Sequence, residues 1–203
     1  MASTLQPHFG RDLIEAMGKS KAAAAAVIEH LGSPAGEFDR LIHASDPNQI
    51  EPIDLVRVSM LGEPISPVAC RWLLSDDGRW LTAEALSDIP VDIELGVAHA
   101  TATFRCSDLL SLFQYGAVTG HAQATRLLAA KRPAFVPIDD KPLRRALDAP
   151  KDDGWWRRWR SAMSPELSAK VAVVRDRAIE VEPAAAELPL LRVVDIAVRA
   201  NAR

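Results

Sequence analysis

Residues 107–147 read SDLLSLFQYGAVTGHAQATRLLAAKRPAFVPIDDKPLRRAL. The leucines and the phenylalanine of the first part recur at helical spacing and lead into a connection that contains two glycines. A second amphipathic helix is predicted over about residues 121–131, and Pro133 ends it. After a short extended link, residues 139–142 combine acidic cap residues with a proline in the first turn, which is typical of a helix start. The stretch therefore predicts a helix, a turn, a helix, an extended link and a third helix.

The helical period also dominates the rest of the chain. Strong apolar patterns at residues 11–31, 52–60 and 190–203 follow it, whereas only residues 91–95 alternate like a short strand. The length of 203 residues suits one compact unit. We therefore predict an all-α, mainly helical fold in which residues 1–203 form a single domain.

Composition and missing motifs exclude several functions. No stretch of roughly 20 apolar residues is present, so we expect no membrane partner. The first residues lack a basic start and an apolar segment, which favours a cytoplasmic protein. Two cysteines and five histidines show no metal-ligand spacing. Phosphate-binding loops, nucleophile elbows and dinucleotide fingerprints are also absent, so the sequence predicts no metal and no cofactor.

The charge of the chain is unevenly distributed. The formal net charge is −3, yet residues 126–160 hold ten basic residues against five aspartates, which makes that region +5 and the remainder −8. Such a region is a candidate for facing the phosphates of DNA. The candidates within it are Arg126, Lys131, Arg132, Arg144 and Arg145. Charge balance against the acidic remainder is the alternative interpretation.

Three tryptophans are interleaved with arginines at residues 155–160. Such a segment can stack on unpaired bases or wedge a duplex. The helical spacing of Trp155 and Trp159 instead favours two core anchors on one helix face, with the arginines toward solvent.

Four segments of the chain carry a resemblance to an uncharacterised family of actinobacterial proteins. They are residues 38–61, 126–133, 136–147 and 191–196. The resemblance covers most of the chain and implies a single domain. It implies no reaction, because the family has no assigned activity.

Residues 107–147 also resemble the helix-hairpin-helix superfamily of DNA glycosylases. When the second hairpin glycine is aligned with Gly120, Asp140 falls on the catalytic aspartate, and Leu143 and Arg145 fall on the conserved Val and Arg of that motif. The resemblance implies a DNA-binding protein that removes damaged or modified bases. In that reaction Asp140 would stabilise the positive charge that develops on the sugar of a flipped nucleotide.

The sequence departs from this superfamily at three points. Val118 occupies the place of the first hairpin glycine, the residues before it are not the usual Leu-Pro, and Ala122 replaces the lysine of strand-cutting members, so no lyase chemistry is implied. Asp140 has a simpler role open to it as a helix cap. Two alternatives to an enzyme therefore remain, a non-catalytic nucleic-acid-binding domain and a protein-interaction or regulatory domain. The oligomeric state is left open.

Overall fold

The computed structural model describes residues 8–62, 64–98, 100–117, 119–150 and 154–201. Within these ranges the chain is helical and contains no β-strand, which confirms the predicted all-α class. The helices are α1 His8–Gly18, α2 Ser20–Leu31, α3 Glu37–Arg40, α4 Pro52–Met60, α5 Pro67–Leu73, α6 Asp76–Ser87, α7 Ala100–Ser111, α8 His121–Lys131, α9 Lys141–Ala146, α10 Trp155–Ala162, α11 Pro165–Ile179 and α12 Leu190–Asn201. In the described part of the chain, no helix has the length and apolar character needed to cross a bilayer.

Two segments differ from the sequence prediction. The apolar pattern over residues 11–31 predicts one helix, but Lys19, at φ −84° and ψ 52°, separates α1 from α2. A glycine before it and a serine after it have low helix propensity, so this is the weakest point of the pattern. The alternating residues 91–95 form a turn that leads into a short 3₁₀ segment, Leu95–Val97, instead of a strand.

The two ends of the described chain pack against each other. Helix α2 contacts α11 and α12, and α1 contacts α10, α11 and α12. Helices α4 and α7 contact α8, while α9 contacts α12. Every residue of α8 from Ala124 to Lys131 is buried. The region from α8 to α9 therefore lies at the centre of the fold, where charged side chains meet neighbours from distant parts of the sequence.

The tryptophans of α10 are core anchors, as their spacing predicts. Trp155 is 2% exposed and Trp159 is fully buried. Both rings meet Phe9 of α1 edge-on, with centroid distances of 6.0 and 5.7 Å. This arrangement suits the quadrupoles of aromatic rings and removes both side chains from any stacking contact with a base.

Candidate functional site

The elements around Gly120 follow the order that the sequence predicts. Helix α7 continues into one π-helical turn, Leu112–Gly116, and Thr119 closes the connection by donating its hydroxyl to the Phe113 carbonyl at 2.9 Å. Helix α8 follows, then an extended link, then α9. His121 Nε2 lies 2.7 Å from Asp139 Oδ2. The first turns of α8 and α9 are therefore neighbours in space.

The glycines of this connection do not use their conformational freedom. Gly120 has φ −68° and ψ 155°, which any residue adopts, and its N–H is 3.2 Å from the Gln123 side-chain oxygen. Gly116 lies against the Trp72 ring, where a β-carbon would be 3.1 Å away, so close packing explains that glycine. Val118, the other hairpin position of the resemblance, lies outside the described residues.

Asp140 is a buried helix cap held by two arginines. Its Oδ1 accepts the Leu143 N–H at 3.1 Å, which confirms the predicted capping role. Arg199 Nη1 lies 3.0 and 3.1 Å from its two oxygens, and Arg126 Nη2 donates to Oδ2 at 3.1 Å. Only 4% of Asp140 is exposed. Burial alone would raise its pKa, but Arg199, the Leu143 amide and Arg126 outweigh that effect and lower the pKa below its usual value.

Asp139 is also buried and paired with a basic side chain. Arg144 reaches it with Nε at 2.5 Å and Nη2 at 2.6 Å, and its guanidinium lies 4.9 Å from the centroid of the Trp155 ring. Burial raises the pKa of Asp139, whereas His121 and Arg144 lower it and prevail. Arg144, expected to contact phosphate, thus forms a bidentate pair inside the fold.

The expectation that Lys131 and Arg132 face an anion is corrected by their burial. The Lys131 ammonium lies 2.5 Å from Asp54 Oδ2, and both side chains are at most 1% exposed. Arg132 is fully buried. Its guanidinium donates to four backbone carbonyls and to the Asn48 side chain at 2.6–2.8 Å. Burial of an unpaired cation costs free energy, and both Lys131 and Arg132 are accordingly surrounded by hydrogen-bond acceptors. Their N–H donors are therefore not available to bind phosphate.

Helix α9 presents two exposed cations. Arg145 is exposed, as its predicted role requires, and so is Lys141, which the sequence analysis did not select. The two residues are four positions apart on α9 and therefore lie on one helix face. Arg126 does not join them, because it is buried against Asp140. Of the five predicted phosphate contacts, only Arg145 thus lies on an open surface.

The pair of Asp140 and Arg199 continues into an ionic network that the sequence analysis missed. Arg199 Nε lies 2.5 Å from Asp195, which also pairs with Arg192. Arg192 Nε and Nη2 each lie 2.8 Å from an oxygen of Asp39. Burial raises the pKa of Asp39, but Arg192 and His30 hold it well below its usual range. The network therefore joins α3, α9 and α12 through buried, alternating charges.

A comparison with protein families identifies what this chain is similar to. The model of a family of unknown function, DUF6308, matches residues 22–202. The chain belongs to this family. The match includes every residue of the ionic network and the whole segment from α7 to α9, and it agrees with the uncharacterised family expected from the sequence. No curated protein and no solved structure matches the DUF6308 chain.

The buried aspartates give the protein a characteristic acid sensitivity. The pKa values of Asp39, Asp139 and Asp140 are all lowered by folding. Their contribution to stability is therefore fully present above the unfolded value of about 3.9 and is lost as the pH falls through the folded values. We expect the urea midpoint to fall steeply from about pH 4 downward. The urea midpoint of Asp140→Asn should depend less steeply on pH than that of the unmodified protein, whereas the exposed control Asp148→Asn should keep the original pH dependence. The same pH dependence in both variants would contradict the assignment of acid sensitivity to the buried aspartates.

Proposed function

We propose that the chain is a DNA-binding domain of helix-hairpin-helix glycosylase-like architecture that contacts the duplex backbone without excising bases. The contact surface would comprise the Gly120 connection and the exposed face of α9 with Lys141 and Arg145. The observation that carries the proposal is the 2.7 Å contact between His121 and Asp139, because it holds the start of α8 beside the start of α9. The order of elements from α7 to α9 supports the same architecture.

Charge at this surface favours phosphate. Asp139 and Asp140, which precede α9, are at most 4% exposed and are paired with arginines, so they present little negative charge to a ligand. The exposed Asp148 follows Arg145 by three positions and is the acid that this surface does present. Lys141 and Arg145 are exposed. Contacts of this kind orient a protein on a duplex but do not read its sequence, so we expect DNA binding with little sequence preference.

The environment of Asp140 favours the non-catalytic form of this function. A glycosylase carboxylate has to reach the sugar of a flipped nucleotide. Both oxygens of Asp140 are instead engaged by Arg126, Arg199 and the Leu143 amide. Asp140 does not line either of the two neighbouring cavities described below, which are bordered by Glu94 and Arg175. We therefore assign Asp140 a structural role in stabilising the fold.

Salt-dependent binding tests the proposed surface. Lys141→Ala combined with Arg145→Ala should weaken binding to a short duplex and reduce the slope of log affinity against log salt by about 2, since each lost phosphate contact removes about one unit. Fluorescence anisotropy between about 50 and about 200 mM salt measures that slope. The matched control is Lys21→Ala with Arg177→Ala, which removes two exposed cations from α2 and α11.

Two results would contradict the proposal. Absence of binding by the unmodified protein at low salt would end the nucleic-acid hypothesis and favour the protein-interaction alternative. An equal loss in both double variants would show that general charge, and not the face of α9, attracts the duplex.

A further inference from the structure

A cleft on another side of the molecule has the size of a small-molecule site. Its volume is about 480 Å³, within the range of roughly 300–1,000 Å³ that is usual for ligand pockets. Its lining comes from the loop that follows α3, the loop that leads to Leu95, the end of α8 with Pro133 and Ala134, Arg175 of α11, and residues 186–189 before α12. None of these residues belongs to the proposed DNA-binding surface.

A second, smaller hollow of about 80 Å³ adjoins the cleft. The two share Glu94, Ala134, Arg175 and Pro189, so these residues form the neck between them. Leu95, Met163 and Leu191 line the far side of the small hollow together with Ser168. The small hollow thus forms the narrow end of the site, and the cleft forms its open compartment.

The neck carries an acid and a base that do not neutralise each other. Glu94 of the loop and Arg175 of α11 both line it, yet among the described residues no ion pair within 4.0 Å joins them. Among the residues that the structure describes, Arg175 donates one hydrogen bond, a long one of 3.4 Å from Nη1 to the Leu188 carbonyl, and its Nε is buried without a partner. A guanidinium with spare donors favours a carboxylate, and a free carboxylate favours an ammonium group.

The open compartment adds negative charge. Asp92 and Glu187 line it, and Glu187 lies 3.0 Å from His43. Lys131 also borders the compartment, but Asp54 neutralises its ammonium. Apart from the Lys131–Asp54 and His43–Glu187 pairs, the lining holds two carboxylates, Asp92 and Glu94, and one guanidinium, that of Arg175. The complementary ligand has one negative and two positive groups.

We propose that this cleft binds a free basic α-amino acid, L-arginine or L-lysine. The α-carboxylate pairs with Arg175 and the α-ammonium with Glu94 at the neck. The side-chain cation extends into the open compartment toward Asp92 and Glu187. Ile42 and Val91 supply apolar contact for the aliphatic stem. The inference is independent of the proposed DNA binding, because the two surfaces share no residue.

Calorimetric titration of the intact protein with defined ligands tests this assignment. L-Arginine and L-lysine should bind, while L-arginine amide, N-acetyl-L-arginine and L-leucine should each bind at least about tenfold more weakly, because each lacks one charged contact. Glu94→Gln and Asp92→Asn should each weaken L-arginine binding by a similar factor. Both positions are exposed, so folding is not at risk. The matched control is Glu84→Gln, an exposed acid on α6.

The remaining outcomes overturn the proposal. Absence of heat with both basic amino acids at millimolar concentration would show that the cleft is not their site. N-Acetyl-L-arginine as tight as L-arginine would indicate recognition of a peptide carboxyl end, and equal binding of the amide would indicate recognition of an amine alone. Unchanged binding by Glu94→Gln would remove the neck from the site.

Discussion

Lys131→Met should lower the free energy of unfolding by roughly 1–3 kcal/mol, because it removes the nearer of the two cations that pair with the buried Asp54 carboxylate and leaves Arg57 Nη1 at 3.6 Å. The Lys131 ammonium lies 2.5 Å from Asp54 and also donates to Ser45 Oγ and the Asp46 carbonyl at 2.8 and 2.9 Å. Neither member of the pair is more than 1% exposed. Methionine keeps most of the length of the side chain, so the change tests the charge more than the packing.

Urea unfolding of three variants can establish this effect. Arg145→Met removes an exposed cation and should change stability by less than about 0.5 kcal/mol. Adding Asp54→Asn to Lys131→Met should deepen the loss, since the buried Arg57 guanidinium then loses the carboxylate with which it pairs at 3.6 Å. A Lys131→Met variant as stable as the unmodified protein would contradict the structural role of the Lys131–Asp54 pair.

Asp140→Asn should cost about 3 kcal/mol of stability, because Arg126 and Arg199 lose their shared counter-ion. Asparagine still caps α9 through the Leu143 N–H, so the loss reports the ion pairs and not the cap. DNA binding by the folded fraction should be unchanged. The measurements are urea unfolding, duplex binding and a screen of lesion-bearing duplexes for base release.

The control for this variant is Asp148→Asn, at the other end of α9. Asp148 is exposed and has a positive φ of 45°, which asparagine tolerates, so its replacement should be nearly neutral. Base release by the unmodified protein that disappears in a folded Asp140→Asn variant would restore the catalytic hypothesis for Asp140. Unchanged stability of that variant would contradict the structural role assigned here.

Helical segments were predictable because their signals are local. Apolar spacing, proline in the first turn and an aspartate cap act within three or four residues, and α4 and α9 begin where these signals predict. The side chains that Asp140 contacts were not predictable in this way. Arg199 is 59 positions away from it, and no local pattern encodes such a partner.

One sequence signal did indicate burial of the cations. In α8 the basic residues Arg126 and Lys131 enclose Leu127, Leu128, Ala129 and Ala130, a run that leaves no polar face. A helix that is apolar all round is a buried helix, so its charges require internal partners. The excess of positive charge in residues 126–160 instead suggested an exposed surface, because a net count does not show where counter-ions from other helices lie.

The pair of Asp39 and Arg192 joins positions that are 153 residues apart in the chain. Closing so long a loop costs conformational entropy before the contact can form, and contacts between residues far apart in sequence slow folding. We therefore expect the Asp39–Arg192 pair to form only when α12 docks, late in folding. Interactions formed after the transition state govern how fast a protein unfolds and leave its folding rate nearly unchanged. On this expectation the ionic network slows unfolding, and it affects the lifetime of the native state more than the time needed to fold.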